Sequence, residues 1–149
     1  GDCLNSDFDF DLNFQVGTSI NCHKILKSLA GQAGDSENES EVIEENAPFN
    51  KMSDAYLFAF ILGLTAGKKS DVGKRKNYAN FIQTVAKDID IMTLMHHLGE
   101  KEDLESKEAA LKAIEGYATW GLEKLGKQRF GDGKIRIGDL LDDILEEKN

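Results

Sequence analysis

The sequence predicts a mostly α-helical fold: a single compact helical domain over residues 1–149, with a short N-terminal β-strand and room for a second short strand near 134–137. Three observations carry this expectation. One proline in the whole chain leaves helices few forced interruptions. The stretch 106–128 repeats apolar residues at steps of three and four, the helical period. Strict period-two alternation is clearest at 8–16, "FDFDLNFQV".

In that first strand Phe8, Phe10, Leu12, Phe14 and Val16 share one face, and Asp9, Asp11, Asn13 and Gln15 share the other. Thr18 or Ser19 then offers an N-cap oxygen for a short helix carrying Cys22, Ile25, Leu26 and Leu29 inward, with Gly31 as its stop. Residues 32–47 read as an acidic mobile loop or insert, because 35–46 holds six acids, no base and little to bury. Pro48 and Phe49 end it. Asn50 or Ser53 can cap "KMSDAYLFAFILGLTAGK", a helix apolar on every side and therefore central, closed by Gly67.

A third helix is expected over 74–89, with Tyr78, Phe81, Ile82, Val85 and Ile89 as its inward stripe. A short piece, "IMTLMHHLG", follows. Ser106 caps the next helix, which buries Leu111, Ile114, Ala118, Leu122 and Leu125. Turn chemistry at Gly131, Asp132 and Gly133 then precedes "KIRI" at 134–137 as an extended segment and a short acidic helix.

The 27 acidic and 18 basic residues give a net charge of −9, which repels phosphate backbones and anionic lipid alike. The longest apolar run, 55–67, falls short of the about 20 residues a membrane span needs, so no membrane association is expected. Cys3 and Cys22 form no CxxC pair and no apolar leader opens the chain, which fits reduced thiols in a cytoplasm. The opening glycine leaves a trimmed preceding segment open.

No nucleophile elbow, HExxH, phosphate loop, EF-hand or paired-carboxylate signature is present, so the chain is expected not to be an enzyme and to use no cofactor or metal. His96 and His97 are adjacent and diverge on a helix, and Cys22-His23 has no spaced partner pair for zinc. A hidden enzyme would need His96 or His97 to meet a carboxylate such as Asp90. The one basic concentration is 68–76, where Lys68, Lys69, Lys74, Arg75 and Lys76 stand against Asp71 alone. Those cations suit the C-terminus of the preceding helix, and equally an anion or nucleic-acid contact.

The order strand, helix, helix also fits a dimeric ribbon-helix-helix DNA-binding regulator, with Asn13 and Gln15 able to read adenine. Against that stand Asp9 and Asp11 on the same outward face. Sequence leaves the oligomeric state open, and this alternative requires a dimer.

"APFNKMSDAYLFAFILGLTAGKKS" and "IEGYATWGLEKL" together resemble the small accessory proteins associated with DNA phosphorothioation (Dnd) systems. The matching residues are Phe49, Asp54, Phe58, Ala59, Leu62, Gly63, Gly67 and Lys68, then Tyr117, Ala118, Gly121, Leu122 and Leu125, in patches over 48–126. The resemblance implies a bacterial or archaeal cytoplasmic protein encoded with a DNA modification and restriction apparatus; taken with the acidic surface and the absence of a catalytic constellation, it leads to the expectation of a non-enzymatic accessory protein that binds a protein partner. It carries over no catalytic residue. Gly63 and Gly121 lie inside expected helices, where glycine costs helix propensity, and this points to close helix approach rather than chemistry.

Overall fold

The computed structural model describes residues 14–31, 48–87, 90–101, 106–132, 136, 138–140 and 142. In order they form β1 (Gln15–Ser19), α1 (Ile20–Leu29), α2 (Met52–Ala66), β2 (Arg75–Asn80), a single π-helical turn (Phe81–Val85), α3 (Ile91–Lys101) and α4 (Lys107–Asp132). The described residues are mostly helical with a two-stranded antiparallel sheet that opens on an N-terminal strand, as the sequence suggests; β1 continues from the end of the expected 8–16 strand, and its partner lies at 75–80.

Ser19 caps α1, its hydroxyl accepting from the Cys22 N–H at 3.1 Å. Ser106 does the same for α4, accepting from the Ala109 N–H at 3.1 Å. Each satisfies one of the donors left free in a first helical turn. Ser19→Ala and Ser106→Ala are each expected to lower unfolding free energy by about 1 kcal/mol, and to add in the double variant because the caps serve different helices. Urea denaturation measures this. The expected caps of α2 are replaced: Lys51 is its N-cap and gives no side-chain bond, while Ser53 is buried. The Phe49 N–H donates to the Leu29 carbonyl at 3.0 Å, which brings together the described residues on either side of the acidic segment. Residues 32–47 themselves lie outside the described residues, as do Phe8, Phe10 and Leu12 of the expected first strand.

At the centre, α2 crosses α4. A Cβ on Gly63 would fall inside the carbonyl of Tyr117, and one on Gly121 inside the carbonyl of Ala59. The pairing of 63 with 117 and 59 with 121 runs in opposite senses, so the two helices are antiparallel. Glycine at both positions lets the backbones approach to Cα–H···O distance, which offsets its propensity cost. Phe60 meets Tyr117 and Phe81, and Phe81 stacks on Phe14 with centroids 5.6 Å apart, so one aromatic chain joins both helices to the sheet.

In place of the third expected helix, 74–89, the structure has β2 followed by the π-helical turn over 75–85, and Ile89 lies outside the described residues. Gly73 sits in the left-handed region at φ 68°, which breaks the run from the preceding loop. Asn77 and Asn80, poor helix formers, then pair in the sheet with Gly17 and Gln15. The register slips by one residue between Val16 and Gly17, leaving Tyr78 as the extra residue on β2. Phe81, Ile82 and Val85 keep a helical spacing because they occupy the π turn, closed by the Ala86 N–H on the Phe81 carbonyl at 2.8 Å. Near the C-terminus α4 runs through Gly131 to Asp132, where a turn was expected. Arg136, the described member of the expected 134–137 strand, is not in a strand, and Lys134, Ile135 and Ile137 lie outside the described residues. The sheet partner of β1 is supplied by 75–80 instead.

Candidate functional site

The basic segment begins where α2 ends. Gly67 takes φ 69°, and the N–H groups of Gly67 and Lys68 close on the carbonyls of Leu64 and Gly63 at 3.2 and 3.1 Å. This left-handed glycine cap turns the chain out and leaves Lys68 and Lys69 exposed beside the negative end of the helix dipole. The Lys69 ammonium lies 5.7 Å over the Tyr117 ring, and the Ser70 N–H donates to the Gly116 carbonyl at 3.1 Å, so the segment runs along α4. Asp71 accepts from the Gly73 N–H at 3.2 Å, and Lys74 then leads into β2, which opens with Arg75 and Lys76.

The five cations do not act alike. Lys68, Lys69, Lys74 and Lys76 are exposed, whereas Arg75 folds back across the sheet. Its Nε lies 2.9 and 3.0 Å from the two oxygens of Glu115, and its second guanidinium arm reaches one of them at 2.6 Å. The same guanidinium donates to the Asn77 side chain at 2.6 Å and to the Gln15 carbonyl at 3.2 Å. Glu115 sits on the buried face of α4 with its side chain 5% exposed, against 34% for Arg75. One carboxylate oxygen also accepts from the Gly17 N–H at 2.6 Å, and the Tyr56 hydroxyl donates to the Gly17 carbonyl at 3.1 Å. A side chain at Gly17 would collide with the Lys76 carbonyl and the Arg75 guanidinium, so glycine is what allows the arginine to cross.

This cluster ties β1, β2, α2 and α4 together through charge-assisted bonds. The hydrogen bonds to Glu115, and then its charge, hold Arg75 more firmly in the cationic form than an ordinary arginine. Burial, reinforced by the Glu115 charge, pushes the Tyr56 phenol well above its ordinary value of 10.0. The unfolded phenol releases its proton near pH 10 while the folded one keeps it. This contribution to stability is therefore whole below pH 10 and declines as pH rises beyond it. In an alkaline titration the phenolate absorbance of Tyr56 is expected only once the chain unfolds, and subtraction of Tyr56→Phe identifies its share. That variant is expected to cost about 1 kcal/mol through the bond lost at Gly17. Cys22 is buried, and burial pushes its thiol up.

Comparison of the chain with family models, with curated proteins and with solved structures finds no match. The site is therefore read from its own geometry. Ala59, Gly63, Tyr117 and Gly121 make the helix crossing, Gly67 and Lys68 make the cap, and Phe49 packs on Phe58 at 5.5 Å, so these positions have packing roles.

Asp90 bonds the Thr93 hydroxyl at 2.7 Å at the start of α3. His96 and His97 lie further along α3 with Glu100 at 3.6 and 3.9 Å, about 9 Å of helix rise beyond Asp90. Among the described residues no group of three or more His, Cys, Asp or Glu side chains is placed to hold a metal ion, and no helix is long and apolar enough to cross a membrane. Sequence reasoning passed over Gly17, Tyr56 and Glu115. A signal existed for Glu115, a charged residue set between Ile114 and Ala118 on the apolar stripe of its helix.

Proposed function

We propose that this chain is a non-catalytic accessory protein that acts by protein–protein contact, and that it serves a bacterial DNA modification and restriction system in the cytoplasm. The observation that carries the first half is the use made of Glu115, Arg75 and Tyr56. Both Glu115 oxygens and the Tyr56 hydroxyl are engaged in holding Gly17 and Arg75, so the constellation with the chemistry of an active site is spent on backbone. The net charge of −9 and the likeness over 48–126 support the setting.

A second reading, DNA binding, is favoured by the exposure of Lys68, Lys69, Lys74 and Lys76. A ribbon formed by β1 is a weaker version of it, because Glu115 and Tyr56 fill the edge of β1 at Gly17 where a second copy would pair. The test is quantitative recovery of the tagged chain from its own host, alongside titration with duplex DNA at low and physiological salt. A stoichiometric protein partner and no DNA binding are expected. DNA binding that weakens steeply with salt and disappears in Lys74→Glu/Lys76→Glu, with no partner recovered, would overturn the reading in favour of DNA.

A further inference from the structure

We propose that the outer edge of β2 receives an extended, acidic peptide segment of a partner protein as a third strand. This rests on the protein-binding reading above and specifies the partner's chemistry. The direction of the edge groups follows from the register. The N–H and C=O of Gly17 point away from β2, since Glu115 and Tyr56 occupy them. In an antiparallel pair the residue directly opposite shares that sense, so Asn77, aligned with Gly17, turns its own N–H and C=O away from β1. Arg75, two residues earlier, has the same sense.

Among the described residues no further strand pairs with β2, and Arg75, Lys76 and Asn77 are exposed. The two edges of this sheet thus differ: the outer edge of β1 is closed by side chains and that of β2 presents backbone groups. Such a row of donors and acceptors is what strand addition uses.

Charge selects the occupant. Lys74 and Lys76 are exposed at this edge, with Lys68 and Lys69 earlier in the same segment. A second copy of β2 laid alongside would oppose lysine to lysine, which disfavours self-pairing. A peptide bearing Asp or Glu on alternate residues complements the same lysines. Duplex DNA would meet those cations too, but it offers no strand ladder to the Asn77 amide and is repelled by the net charge of −9.

The test uses the full chain and a labelled peptide of about seven residues alternating Glu and Val, a twin with alternate amides N-methylated, and a short DNA duplex. The parent peptide is expected to bind and to slow hydrogen exchange at the Asn77 amide. The methylated twin, which keeps the charge and loses the ladder, is expected to bind at least about tenfold more weakly. Lys74→Glu/Lys76→Glu is expected to weaken the parent peptide by about tenfold. Asn77→Pro removes the outward donor and spares the bonds to β1, so it is expected to abolish binding; should it fail to fold, the methylated twin decides.

Equal binding of both peptides, no binding of the parent at low salt, or tighter binding of DNA overturns the proposal. An Asn77 amide already protected in the free protein also overturns it, because the chain itself would then cover the edge. A partner still recovered with Lys74→Glu/Lys76→Glu sinks the edge while leaving the accessory reading intact. Failure of the unaltered chain to recover any partner sinks that reading itself.

Discussion

Gly121→Leu is expected to cost about 4 kcal/mol or more and to remove cooperative unfolding, the largest effect of any single substitution considered for this chain. The obstruction is the Ala59 carbonyl, and a backbone atom cannot rotate out of the way as a side chain can. The helices must separate, and every contact along the crossing of α2 and α4 is loosened with them. Gly63→Ala meets the Tyr117 carbonyl in the same manner. Because one separation relieves both collisions, Gly63→Ala and Gly121→Ala are expected to cost clearly less together than the sum of their separate costs. Gly67→Ala is the control: open space surrounds it, so only its φ of 69° is strained and about 1 kcal/mol is expected. Denaturation curves with their slopes measure these four single variants and the double.

Glu115→Ala is expected to cost about 3 kcal/mol. It strands the Gly17 N–H and leaves the Arg75 guanidinium without its carboxylate, the penalty that makes half of a buried pair worse than none. Water on the exposed side of Arg75 keeps the cost at the low end for such pairs. Glu115→Gln retains an acceptor of the same size and is expected to recover part of the loss. Arg75→Lys keeps the charge but not the paired donors to Glu115 and the reach to Gln15, so it is expected to behave more like the alanine variant than like the wild type. Retention of full stability by Glu115→Ala would remove the tie from the account.

The helical class, the two serine caps, the central helix with its Gly67 stop and the close approach at Gly63 and Gly121 were all legible, because each depends on local spacing or on a residue type with a single physical use. Ser19 could be read as a cap from its own neighbourhood, and the glycines from their cost inside helices. Strand β2 was not legible. Its Tyr78 and the following Phe81, Ile82 and Val85 mimic a helical stripe, and its partner lies about sixty residues earlier, beyond any local pattern. The tie was hidden for the same reason. Arg75 reads as one more cation in "KKSDVGKRK", and only the fold brings it to a glutamate 40 residues away. The basic segment was visible as a charge run, but its division into four exposed lysines and one inward arginine depends on how β2 lies over Gly17.

Among the described residues this small sheet has one edge closed by its own side chains and one edge that presents backbone groups, the edge proposed to receive a partner strand. Residue-resolved amide hydrogen exchange on the free protein tests it most directly. Slow exchange at Gly17, accelerated by Glu115→Gln, together with fast exchange at Asn77, is the predicted result. Fast exchange at Gly17 with a protected Asn77 would contradict it.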